Sequence, residues 1–218
     1  MSESTAPMRV IEETTAYWRV VFDYPPFNIV DATIFEGLQD LLARMDASPS
    51  LRVVVFESAN PEFYLAHFDL TGKTGNIFTA VGPSGLPILM DTFVRLTKSP
   101  VVSIAKIRGC VRGVSSEFVL ACDMRFASRE NTRLGHPEVG VGVHPGGGGT
   151  ERLPHLVGLW PRARDRSRRE RLRRRYRGTI WIRQPGSSGG GAGRLRRRDG
   201  PPDCFLRPAC YRGGEKSH

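Results

Sequence analysis

The sequence has little cysteine, no long apolar run, and over most of its length no excess of positive charge. Its four cysteines, Cys110, Cys122, Cys204 and Cys210, are too few and too unevenly spaced for a disulfide framework. No CxxC pair offers zinc ligands, so buried or free thiols and no bound metal are expected. No apolar stretch approaches the ~18 residues of a membrane-spanning helix, so no membrane partner is expected. The first residues, MSESTAPMRVIEETT, are polar and acidic and lack the basic-then-apolar order of an export signal, which gives an expectation of a cytoplasmic protein. Residues 1–158 hold 14 Lys+Arg against 17 Asp+Glu, whereas residues 159–218 hold 18 against 5, so the net charge of +10 belongs to the final segment. A hydrophobic content of 39% suits one domain with a substantial core.

Short β-branched runs at residues 17–23 (YWRVVFD), 51–57 (LRVVVFE) and 101–107 (VVSIAKI) predict strands buried in a sheet. Residues 31–46 predict a helix with Ile34, Leu38, Leu41, Leu42 and Met45 on one face and Asp31 placed to cap its start. A second helix is expected from Ile88 to Leu96, stopped by Pro100. Strands alternating with helices at this spacing imply an α/β arrangement with right-handed crossovers.

Beyond Leu159 this consistency ends in arginine runs such as RRERLRRRY (168–176), then PGSSGGGAG and DGPPD, with no sustained apolar period. Such a segment buries too little surface to offset its chain entropy and is expected to be disordered. The division expected is therefore a folded core, 1–158, and a basic tail, 159–218. Residues 162–177 could also be read as a nucleic-acid-binding arm, since arginine density favours phosphate. Against that reading, the core is slightly acidic, the tail has no recognised binding fold, and aromatic residues are not interleaved for base stacking. No specific nucleic-acid partner is expected.

Chemistry concentrates in NPEFYLAHFDL (60–70), RGCVRGVSSEFVLACDMRFAS (108–128) and RLGHPEVGVGVHPGGGGTERLPHLVG (133–158). Glu117 follows a glycine-containing turn inside an apolar run. It sits either at a surface edge, which its composition favours, or in an apolar site that would raise its pKa toward the range useful for proton transfer. Glu138 lies between Pro137 and Val139, ahead of a Gly-x-Gly, and taken alone reads as a solvated loop acid. Two acids in apolar neighbourhoods, each beside a tight turn, suit a paired acid/base site.

Together these three stretches resemble the enoyl-CoA hydratase/isomerase (crotonase) family over roughly residues 10–158. The most telling parts are the glycine turn running into Glu117, Ala121, Cys122 and Asp123, and the segment LGHPEVGVGVHPGGGGTERLP. The resemblance implies a crotonase-like spiral of ββα units, a homotrimer or hexamer, and acyl-CoA thioesters as substrates. Coenzyme A would be part of the substrate, with no separate cofactor. It also implies two backbone N–H groups forming an oxyanion hole for the enolate oxygen, and, in hydratases, two glutamates that place a water on the β-carbon and a proton on the α-carbon. Glu117 and Glu138 fall on both glutamate positions. Double-bond isomerisation, or another enolate chemistry, is the alternative within the same class.

Matched residue by residue, the oxyanion donors are the N–H groups of Phe68 and Val114, with Ala66, His67, Asp69 and Gly113 as the substrate-binding positions around them. Two departures stand out: His67 replaces a glycine before Phe68, and Val114 stands where consecutive glycines are usual. A backbone N–H survives any side chain except proline, but valine is stiff, bulky and poorly suited to φ > 0. His67 and His144 lie near these loops with no identified partner in the sequence, and structural roles are expected for both.

Where the family continues with helices that close the acyl pocket and build the trimer, this sequence turns to arginine at Trp160. The genetic code allows a check. Read from the second nucleotide, Trp160 followed by Pro161 gives GGC, and Trp181 followed by Ile182 gives GGA, both forced glycines. Among the permitted readings are Gly-Arg-Ala-Arg-Glu-Ile-Val-Leu-Gly after Leu159 and, over residues 172–188, Phe-Asp-Ala-Asp-Thr-Ala-Glu-Arg-Tyr-Gly-Tyr-Val-Asn-Arg-Ala-Leu-Pro. Both resemble what the family carries there, so the tail reads as a frameshifted C-terminus, the hypothesis being one extra nucleotide near codons 159 and 160. Sequencing of the coding DNA tests it, and an uninterrupted frame in an independently isolated copy would sink it.

Overall fold

A computed structural model of the protein describes residues 6–72 and 74–157. The expected tail, its disorder and its frameshifted reading all lie outside the described residues. Within them the chain repeats one unit. Strands β1 (Met8–Thr14) and β2 (Tyr17–Phe22) lead into helix α1 (Ala32–Asp46), and β3 (Val53–Ser58) and β4 (Phe63–Leu65) into α2 (Ile88–Lys98). Next, β5 (Val102–Ile107) and β6 (Cys110–Arg112) lead into α3 (Val114–Ala121), and β7 (Met124–Ala127) and β8 (Arg133–Gly135) into a 3-10 turn, Glu138–Val141, and helix α4 (Gly149–Val157).

After the opening antiparallel hairpin of β1 and β2, the strands are parallel and are dealt out to two sheets. One has the order β1-β2-β3-β5-β7 and the other β4-β6-β8. From the second unit onward, each unit adds its first strand to the large sheet and its second to the small one, which is the ββα spiral arrangement. The strands expected at 17–23, 51–57 and 101–107 are β2, β3 and β5, adjacent in the large sheet with Val54 paired to Trp18 and to Ser103.

The expected helices are present for the expected reasons. The carboxylate of Asp31 accepts the Ile34 N–H at 3.2 Å, capping α1, and Ile34, Leu38, Leu41, Leu42 and Met45 are all buried. Phe35 is buried as well, because a second helix packs on that side and sets Phe93 6.0 Å away, ring centre to ring centre. Helix α2 ends as Ser99 turns extended ahead of Pro100. Phe118, on α3, meets Phe56 edge-on at 5.0 Å, Phe22 at 5.8 Å and Phe93 at 6.2 Å, so one ring ties both layers together. Among the described residues no helix is long and apolar enough to cross a membrane.

Candidate active site

Helix α3 brings Glu117 inside. All eight of its residues are buried, Glu117 with 3% of its surface exposed, so the surface-edge reading of this acid is corrected. The helix starts from Gly113, whose φ of 57° only glycine adopts easily and whose N–H donates to the carbonyl of Gly135 at 3.0 Å. Gly113 therefore absorbs the left-handed turn. Val114 begins the helix with ordinary backbone, and the valine-for-glycine departure carries no strain at this point.

A buried carboxylate needs donors, and the glycine-rich loop supplies them. Glu117 Oε1 accepts the N–H of Gly147 at 2.8 Å and of Gly149 at 2.9 Å. Burial pushes the Glu117 carboxyl above the ordinary glutamate range. The Gly149 N–H and His136 pull it back, and Glu138 adds to the rise. Arg152 fastens the loop, donating from Nη1 to the Gly147 carbonyl at 2.9 Å and from Nη2 to Thr97 Oγ1 at 3.4 Å.

Glu138 opens the 3-10 turn, and its side chain is only 14% exposed, so it is no solvated loop acid. Its Oε1 lies 3.7 Å from Nδ1 of His136. Its Oε2 is buried and accepts no hydrogen bond among the described residues. A Cβ added at Gly113 would stand 3.3 Å from Glu138 Oε1, so this acid leans over the start of the very helix that carries Glu117.

Of the two backbone N–H groups singled out in the sequence, that of Phe68 lies in the loop after β4 and that of Val114 at the first position of α3. Val30 donates to the His67 carbonyl at 3.0 Å and accepts from the Asp69 N–H at 2.8 Å. A trans peptide sets N–H opposite C=O, so fixing the His67 carbonyl also aims the Phe68 N–H, which meets no backbone acceptor among the described residues. The same logic holds at Val114: the Gly113 carbonyl accepts from Glu117 N at 3.1 Å, leaving the Val114 N–H pointing out of the positive end of α3. The Arg112 N–H donates to the Ala66 carbonyl at 3.2 Å and ties the two loops together.

His67, standing where a glycine was expected, is exposed and lays Nδ1 2.8 Å from the Phe68 carbonyl, which steadies the loop. The Asp69 carboxyl is lowered from its ordinary range by the Thr71 N–H and hydroxyl it accepts. His144 is exposed and bonds to neither glutamate. The residue that sequence reasoning missed is His136, 5% exposed and adjacent to both acids. Its signal was the Gly-His-Pro-Glu run, where it stands two residues before Glu138.

A Cβ on Gly147 would fall 2.7 Å from Glu117 Oε2 and 2.7 Å from Phe93 Cε2, neither of which can retreat. Gly147→Ala is therefore expected to cost about 1–3 kcal/mol by overpacking. It is also expected to lower by more than about tenfold any proton transfer that depends on the Glu117 carboxylate, because that carboxylate is displaced. Thermal unfolding and steady-state kinetics check the two parts separately.

The sequence matches the enoyl-CoA hydratase/isomerase family model over residues 12–163. A fatty acid oxidation complex subunit alpha of Vibrio parahaemolyticus is 32% identical over 168 residues, covering 74% of this chain and 23% of that protein. The chain thus spans less than a quarter of that relative's length. Among solved structures, a proposed enoyl-CoA hydratase of Streptomyces avermitilis is 36% identical with a TM-score of 0.65, over 76% of this chain and 60% of that one. DspI of Pseudomonas aeruginosa is 28% identical with a TM-score of 0.69, over 83% of this chain and 72% of that one.

Proposed function

The chain belongs to the enoyl-CoA hydratase/isomerase family, and on that premise we propose that it adds water across the double bond of a 2-enoyl-CoA thioester to give a 3-hydroxyacyl-CoA. The observation that carries this reading is the pair of largely buried carboxylates, Glu117 in the first turn of α3 and Glu138 leaning over the Gly113 that starts it. Glu117, held as an acceptor by Gly147 and Gly149, takes a proton from the attacking water. Glu138, whose Oε2 faces no protein donor among the described residues, delivers a proton to the α-carbon. The N–H groups of Phe68 and Val114 hold the thioester oxygen as it gains negative charge. Coenzyme A enters as part of the substrate, and no separate cofactor takes part.

Turnover is reduced and trimer assembly impaired, because residues 159–218 carry arginine and glycine where the family resemblance implies pocket-closing helices. Incubating the 218-residue chain with crotonyl-CoA and following the loss of enoyl absorbance tests the reading. Slow formation of 3-hydroxybutyryl-CoA is expected. Turnover as fast as in a chain re-encoded from codon 160 in the alternative frame would refute the impairment. Conversion of a 3-enoyl-CoA to its 2-isomer with no hydration would replace hydration by isomerisation.

A further inference from the structure

We propose that His136 is the positioning residue of the acid pair, its imidazole lying beside both Glu138 and Glu117 and offsetting the repulsion between them. The inference rests on the reading of those two acids as the reacting pair. The geometry comes from two directions. Nδ1 of His136 lies 3.7 Å from Oε1 of Glu138. From the other side, a Cβ built on Gly149 would be 2.8 Å from Cε1 of His136 and 3.0 Å from Oε1 of Glu117, so the imidazole edge and that carboxylate converge on one point of the chain. With 5% of its surface exposed, the ring is withheld from bulk water, where its charge would be screened.

The elements packed around the pair carry its charged groups. Helix α3 contributes Glu117, and the 3-10 turn contributes Glu138. Helix α4 brings Arg152, which acts on Glu117 electrostatically, and β6 brings the buried Arg112, whose residue is in register with Gly135 just before His136. Both arginines keep their charge throughout the working pH range. Unlike them, an imidazole can lose its charge near neutrality. Glu138 raises the Glu117 carboxyl, and an imidazole cation beside both offsets that effect. Chain geometry makes the placement rigid, since Pro137 joins His136 directly to the turn that carries Glu138.

The test pairs kinetics with a titration that needs no turnover. In the full chain, His136→Gln keeps a polar side chain of similar reach but removes the charge. Its pH profile of kcat/KM for crotonyl-CoA is expected to move its acidic limb up by about one pH unit, because carboxylates lose a cationic neighbour within ~4–6 Å. A purely structural histidine would lower the plateau and leave the limb where it was, and that result overturns the inference. Should His136→Gln not fold, the histidine ring signals of the parent chain and of Glu138→Gln decide by NMR. The His136 titration must move to lower pH when Glu138 is neutralised, and an unmoved titration overturns the inference. Failure of the acid pair itself reads differently: Glu117→Gln and Glu138→Gln would then keep full activity.

Discussion

Replacing Glu117 or Glu138 with glutamine is expected to lower kcat for hydration of crotonyl-CoA by about 10²–10⁴-fold, the usual worth of a positioned acid or base. Glutamine keeps the shape of each side chain, and in Glu117→Gln its carbonyl oxygen can still accept the N–H groups of Gly147 and Gly149. KM should change little, since neither carboxylate is asked to bind the bulk of the thioester. The stability readout has the opposite sign to the kinetic one. Burial raises the Glu117 carboxyl, so the folded state binds a proton that the unfolded chain has released. That raised group lowers stability progressively as pH climbs from the unfolded-state value through the folded-state value. Glu117→Gln escapes that loss, so its melting temperature relative to the parent should improve as pH rises across this window. A fall in kcat accompanied by an equal or improved melting temperature at neutral pH separates a reacting acid from a structural one.

Phe118→Ala tests the support behind the site. Phe118 follows Glu117 on α3, is 2% exposed, and touches the rings of Phe22, Phe56 and Phe93. Deleting a buried phenylalanine side chain costs about 3–5 kcal/mol, transfer and cavity terms together. A domain of this kind has only about 5–15 kcal/mol to lose. For a chain of this length the melting temperature should fall by roughly 6–20 °C. Activity should fall as well at temperatures where the protein is still folded, because α3 loses the ring that fixes the rotation of Glu117. Leu70→Ala serves as the comparison: Leu70 is 61% exposed, and its removal should move stability by no more than about 0.5 kcal/mol. Equal effects of the two substitutions would contradict the packing described here.

The large sheet and the first two helices were legible because their patterns are local. Residues 17–23, 51–57 and 101–107 are β-branched runs, and α1 shows its apolar face at helical spacing. Helix α3 gave no such period: every residue from Val114 to Ala121 is buried, so nothing polar marks an outer face. The small sheet was invisible for a different reason. β4, β6 and β8 have three residues each, too few for any alternation to register. The burial of Glu117 is hidden for a third reason: its donors, Gly147 and Gly149, lie 30 and 32 residues away and advertise nothing through their side chains. Both candidate N–H donors were placed by resemblance, and the backbone around them shows how carbonyl pairing at His67 and Gly113 aims each one. Valine is ill-suited to a left-handed turn, yet the turn belongs to Gly113 one position earlier. The one signal for His136, the Gly-His-Pro-Glu run, carries no helical or strand period and says nothing of burial.

The central claim is that Glu117 and Glu138 act as one unit on one substrate. The most direct measurement is kcat for crotonyl-CoA hydration in the parent chain, in Glu117→Gln, in Glu138→Gln and in the double variant, with folding of each verified by thermal unfolding. Groups that act together are grossly non-additive, so the double variant is expected to be no more than about tenfold slower than the slower single variant. Losses that simply multiply, or a single variant that turns over as fast as the parent, would contradict the account.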